Sequence, residues 1–141
     1  FQNFQHMRAS SAAAERLIGQ QRDNVVDARV VERTLRQFDV LGRLCRWPSR
    51  RSVQTLALWG LWSTLPSVQT LSEQAVNEHF SDEHLFEDPA ILRRTMISCS
   101  LITRRNDGTN YRRVEQEPPA EAKAVIRVLS ARRRERGGKT S

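Results

Sequence analysis

Cysteine, lysine, long apolar runs and recognisable catalytic motifs are all scarce in this chain, and each scarcity removes a class of protein. The two cysteines, Cys45 and Cys99, stand far apart, without the close pair that a zinc ligand set or a dithiol redox motif requires. Both are expected to be reduced and buried or half-buried. No stretch approaches the roughly 18 apolar residues of a membrane-spanning helix, so a cytoplasmic protein with no membrane partner is expected. There is no Gly-rich phosphate loop, nucleophile elbow or Cys-His-Asp arrangement, which points away from an enzyme and leaves no catalytic residue, cofactor or metal to assign. His79, Asp82, Glu83, His84 and Glu87 have the residue types of a metal or acid-base site. An acidic connector between two helices produces the same composition, and that plainer reading is preferred.

What the chain does have is positive charge of one chemical kind. Basic residues outnumber acids 23 to 16, giving a net charge of +7 and a pI near 10.9. All but two of the basic residues are arginine, whose planar fork suits phosphate and guanine better than a lysine ammonium does. A polyanion, duplex DNA foremost, is therefore the expected partner, set against the plainer reading that excess charge only maintains solubility. With 141 residues, 38% of them apolar, the chain can build one modest core if its ends contribute little.

Along the chain, Phe1 to His6 read as a foreign leader before a native Met7, and residues 1–28 together as a mobile N-terminal arm. The central domain is expected over 29–115, and a C-terminal helix with a basic tail over 116–141. Val31, Leu35 and Phe38 recur at helical spacing, with Glu32, Arg33, Arg36 and Gln37 on the other faces, and Gly42 is placed to cap this helix. Trp47-Pro48-Ser49 interrupts. A second helix runs from Ser52 to Leu65, apolar around most of its circumference, and Trp47, Trp59 and Trp62 are all expected in the core, a plainer reading than an aromatic ligand pocket. Gly60 within it costs about 1 kcal/mol relative to alanine, which predicts close approach of another backbone. Thr70 and Glu73 form a capping box for a third helix carrying Leu71, Ala75, Val76 and Phe80. Asp88 and Pro89 start a fourth, with Leu92, Met96 and Cys99 on one face. Asn106-Asp107-Gly108 then marks a hairpin turn. A last helix from Ala120 turns Ala124, Val125 or Ile126, and Leu129 inward.

A basic helix followed at once by a basic hairpin is the order of a winged helix-turn-helix, in which helix and wing are two parts of one docking surface. The expected fold is thus mainly α with a small β-hairpin, a winged helix-turn-helix-like domain with flexible N- and C-terminal arms. Phe38, Leu56, Trp59, Val76, Leu92, Met96 and Leu101 should share one core.

Ordered landmarks over about residues 31 to 113 resemble the bacterial "domain of unknown function 2087" family. They are Phe38, Gly42-Arg43-Leu44, Pro48 with Arg50-Arg51, Leu71-Ser72-Glu73 with Val76-Asn77, Asp88-Pro89-Ala90-Ile91-Leu92-Arg93-Arg94, Leu101-Ile102-Thr103-Arg104, and Gly108 with Tyr111-Arg112. The resemblance implies a winged-helix architecture and a transcription-regulator context, and it supplies no ligand or DNA site.

The candidate nucleic-acid-binding residues fall into three groups. Arg93 and Arg94 lie on the fourth helix and would read bases in the major groove, or else pair internally with Asp82, Glu87 or Asp88. Arg104, Arg105, Arg112 and Arg113 flank the turn and would contact phosphate. Arg132, Arg133 and Arg134 lie in the basic tail. Tyr111 is expected beneath the hairpin. The competing reading is a protein-interaction module in which the helix-turn-helix is structural and the basic tail incidental, the acidic connector being its motive. The expected state is a monomer or weak dimer.

Overall fold

A computed structural model of the chain describes residues 26–105, 107 and 109–140. The expected N-terminal arm, up to residue 25, and positions 106 and 108 of the expected turn lie outside them. Helix α1 spans Ala28–Leu35, capped by Asp27, whose Oδ1 accepts from Arg29 N at 3.1 Å. It stops well before Gly42, because Asp39 takes over the backbone beyond it. Asp39 Oδ1 accepts from Leu41 N at 3.0 Å and Arg43 N at 2.8 Å, and the chain reverses so that Phe38 pairs with Leu44. Gly42 sits in that reversal at φ +82°, and a Cβ there would lie 2.8 Å from Arg133 Cγ. Its left-handed backbone serves the turn and not a helix cap.

Helix α2, Arg51–Trp62, is buried from Leu56 to Trp62. A Cβ on Gly60 would come within 2.6 Å of Leu129 Cδ1. The glycine therefore admits a leucine side chain from the C-terminal helix, where the sequence pattern predicts another backbone. The capping box at Thr70 does not form. Thr70 and Leu71 make a short strand, β1, and Ser72 becomes the cap of α3, Glu73–Glu83, accepting from Ala75 N at 3.0 Å. Strand pairing fixes Thr70 and Leu71 as extended, which leaves Ser72 as the first hydroxyl placed to cap. Ser72→Ala should cost about 1 kcal/mol, and Thr70→Ala should stay within about 0.5 kcal/mol. Urea denaturation reads both, and a larger loss at Thr70 would contradict this assignment.

Helix α4, Pro89–Ser98, begins as its sequence predicts, with Asp88 Oδ1 accepting from Ile91 N at 3.2 Å and Pro89 in the first turn. It ends in a left-handed residue, Ser100 at φ +60°. Ser100 N donates to Ile97 O at 3.0 Å and Leu101 N to Met96 O at 2.9 Å, the paired bonds that close a helix when the following residue turns left-handed. Buried Leu101 then packs in the same cluster as buried Met96.

Strands β2, Ile102–Thr103, and β3, Tyr111–Arg113, follow, and the antiparallel sheet has the order β1-β3-β2. The hairpin thus gains a third strand from the segment before α3. Helix α5 spans Ala120–Thr140 and turns Ala122, Val125 and Leu129 inward, with Ala124 and Ile126 half-buried. It runs through the arginine-rich stretch read as a tail.

Among the described residues the fold is five helices and a small three-stranded sheet. Helices α1, α2 and α5 pack together, and α3 and α4 pack on each other and on the sheet. One core joins both groups, and all seven residues expected in it are there. The cysteines differ from expectation, since both are free and exposed. Cys45 follows inward-facing Leu44 in an extended segment, so alternation turns it outward. Cys99 is the C-cap of α4, where the backbone leaves helical geometry and the Leu92–Met96 stripe ends.

Candidate nucleic-acid interface

The helical period places Leu92 and Met96 inward, both fully buried, and sends the two arginines between them to different surroundings. Arg93 turns back into the protein. Its Nη1 donates to Asn77 Oδ1, its Nη2 lies 3.5 Å from Glu73 Oε1, and its guanidinium stands 5.9 Å from the centre of the Tyr111 ring. Tyr111, buried beneath the sheet as expected, donates its hydroxyl to the same Glu73 oxygen at 3.2 Å. Arg93 therefore ties α3, α4 and β3 together, through Glu73 and Asn77 and not through Asp82, Glu87 or Asp88. Arg94 is exposed and has no ion-pair partner among the described residues. Removing Arg93 leaves half-buried Asn77 without its donor and takes the cation from Glu73, so Arg93→Ala should cost about 2 kcal/mol, whereas Arg94→Ala should change stability by less than about 0.5 kcal/mol. Equal losses in chemical denaturation would contradict this division.

Alternation along β3 sorts the hairpin arginines in the same way. Tyr111 and Arg113 face inward and Arg112 outward. Arg113 lies over the Trp62 ring at 4.2 Å, donates from Nε and Nη2 to the two Glu115 oxygens at 2.7 Å each, and donates from Nη1 to Leu65 O at 3.2 Å. It closes the C-terminal end of α2. Arg112 stands between Thr70 and Thr103 across the sheet, and all three are exposed. Arg104 and Arg105 are exposed and, with Ile97 and Thr103, line an open groove of about 470 Å³ between the end of α4 and the hairpin.

The C-terminal arginines are mostly internal. Arg132 Nη1 donates to the carbonyls of Leu35, Asp39 and Phe38 at 3.1, 3.3 and 3.4 Å, satisfying the end of α1. Arg133 donates to Gly42 O at 3.2 Å and Ser63 Oγ at 3.4 Å, and its Nε lies 3.6 Å from Glu83 Oε1, a charge contact too long for a hydrogen bond. Burial pulls the Arg133 guanidinium down to about 10 against the opposing pull of Glu83, and it remains charged at neutral pH. Arg136 Nη2 donates to both Glu83 oxygens at 3.0 and 3.2 Å. Arg134 is exposed. Of the candidate arginines, Arg94, Arg104, Arg105, Arg112 and Arg134 thus point outward, and Arg93, Arg113, Arg132 and Arg133 hold the fold. No local sequence pattern marks Glu73, Asn77, Glu83 and Arg136 as partners in these networks, because the bonds join residues 16 to 53 positions apart.

The connector between α3 and α4 is pinned at both ends of one imidazole. His84 Nδ1 donates to Phe80 O, and its Nε2 accepts from Asp88 N at 2.8 Å. Leu44 clamps the same turn, donating to Glu83 O at 2.8 Å and accepting from Leu85 N at 2.9 Å. His79 pairs with Thr64 Oγ1 at 2.7 Å, and burial holds its imidazole below the ordinary histidine range although Glu83 and Asp82 oppose this. Among the described residues no three His, Cys, Asp or Glu side chains group as metal ligands, and no helix is long and apolar enough to cross a membrane.

The family model described as "uncharacterized protein conserved in bacteria (DUF2087)" matches residues 43–113, half of the chain. The chain belongs to this family. The DUF2087 span runs from the Leu44 clamp through α2, β1, α3, α4 and the hairpin, and so contains Arg94, Arg104, Arg105 and Arg112. Helices α1 and α5 lie outside it, yet here they complete the core. Comparison with curated proteins and with solved structures returned no match.

Proposed function

We propose that this DUF2087 module is a winged helix-turn-helix that binds duplex DNA in a regulator context, without catalytic activity. The observation that carries the reading is the order α2-β1-α3-α4-β2-β3 with β1 paired to β3. It sets a helix with an outward arginine, Arg94, beside a hairpin with three more, Arg104, Arg105 and Arg112. A helix entering the major groove and a wing along the backbone would use those two elements together. Arg94 is then the base-reading candidate and the hairpin arginines the phosphate contacts, with Arg134 a further phosphate contact on α5. The test is a titration of the full chain with duplex DNA, single-stranded DNA and RNA at two salt concentrations. Duplex should bind most tightly and weaken steeply with salt, and equal affinity for all three would remove the major-groove role.

One observation favours a protein partner instead. Leu85 is 48% exposed beside Asp82, Glu87 and Asp88, all exposed, at the start of α4. Carboxylates there would repel phosphate. On that reading the module docks a protein through the connector, and the same titration would detect no nucleic-acid binding at low salt.

A further inference from the structure

Away from α4, the hairpin and α5, exposed arginines also gather beside α1. Arg33 and Gln37, on and just past α1, face Arg46, Trp47 and Arg50 of the loop before α2 across an open groove of about 410 Å³, with Val53 at its base. The three arginines are exposed and Trp47 is half-buried. Among the described residues no carboxylate lines the groove. The acidic residues of α1 and of the turn after it are engaged elsewhere, Glu32 lying 3.8 Å from Arg36 and Asp39 2.9 Å from Arg43. Like charges that share a groove repel unless an anion or salt offsets them.

The groove is also preformed. Arg46 Nε donates to Gln37 Oε1 at 3.1 Å, Cys45 N to Gln37 O at 2.8 Å, and Gln54 Nε2 to Pro48 O at 2.7 Å. These bonds hold the loop against α1 and α2, so little ordering remains to be done when a ligand enters. It is separate from the hairpin, because Arg113 closes the far end of α2, and a helix of that length places its ends about 18 Å apart.

We propose that this groove is a second polyanion-binding surface that holds the phosphodiester backbone of a nucleic-acid strand. The guanidinium forks of Arg33, Arg46 and Arg50 would take phosphate oxygens, and the Trp47 indole would offer a flat face to a sugar or base. Several cations spread along an open groove suit a repeated charge better than a single ion. The inference rests on the preceding reading only for the identity of the polyanion.

The test is the double variant Arg33→Ala, Arg50→Ala in the full chain, chosen because neither side chain makes a hydrogen bond or ion pair among the described residues. Its duplex-DNA affinity is measured across a salt series beside the parent and an Arg94→Ala, Arg104→Ala variant. The groove variant should flatten the plot of log affinity against log salt by about 0.9 for each phosphate it no longer neutralises, without altering sequence preference. A groove variant that matches the parent while the α4 and hairpin variant weakens overturns this inference and leaves the proposed function standing. The reverse pattern supports the groove and moves the binding surface away from α4. A parent that binds no nucleic acid at low salt overturns both. Inorganic phosphate that shifts the Trp47 indole resonance as fully as a DNA strand does would mark a single-ion site and overturn the assignment to a strand.

Discussion

Replacing Glu83 with alanine is expected to destabilise the protein by about 3–5 kcal/mol, the usual cost of removing one partner from a buried ion pair. Glu83 is 8% exposed and faces two cations, Arg133, itself 12% exposed, and Arg136. Without the carboxylate, Arg133 stays enclosed by Gly42 O and Ser63 Oγ with no counter-charge, and α5 loses its link to the connector between α3 and α4. Chemical denaturation of the variant measures the loss. A change below about 1 kcal/mol would mean that solvent reaches Arg133 freely and that this cluster does not hold α5 in place.

A larger effect is expected from removing residues 127–141. By sequence alone, this stretch is the end of a helix with Leu129 inward, followed by a basic tail that contacts phosphates. In the structure it contains Leu129, fully buried against Gly60, together with Arg132, Arg133 and Arg136. Truncating a buried leucine costs about 2–5 kcal/mol, and stranding Glu83 adds a loss similar to that of its own removal. Domains of this size are stable by about 5–15 kcal/mol in total. The shortened chain should therefore lose its cooperative thermal transition, as followed by circular dichroism, and it cannot be used to isolate a phosphate contact. A transition retained within a few degrees of the full chain would contradict this.

Local signals carry most of the architecture. Asp88-Pro89 marks the start of α4, the apolar stripes mark the core, and Asn106-Asp107-Gly108 marks the hairpin whose strands are β2 and β3, because each of these is decided within one turn or one strand. Sequence and structure part where a distant partner decides the outcome. Thr70 has the chemistry of a helix cap, but its pairing with Arg112 makes it a strand. Gly42 has the chemistry of a helix end, but Asp39 closes the turn before it. Serine at position 100 hides a helix stop that glycine would announce.

The candidate site is half legible for the same reason. Arginine content identifies the kind of partner expected, but Arg93 and Arg94 are indistinguishable by type, and only the positions of Glu73, Asn77 and Tyr111 show that the first is structural. Arg132 and Arg133 likewise read as a charge run, yet they reach carbonyls and a carboxylate 50 to 97 residues away.

The most direct measurement of the proposed DNA surface is fluorescence anisotropy of a labelled duplex titrated with the parent and with a folded Arg94→Ala, Arg104→Ala, Arg112→Ala variant over a range of salt. The expected result is weaker binding by the variant, with a salt slope reduced by about 0.9 for each phosphate left without its arginine, and a cost of about 1–3 kcal/mol on a preferred site from the absence of Arg94. A variant that binds preferred and random duplex with the parent's affinity and slope would contradict the assignment of that surface to DNA.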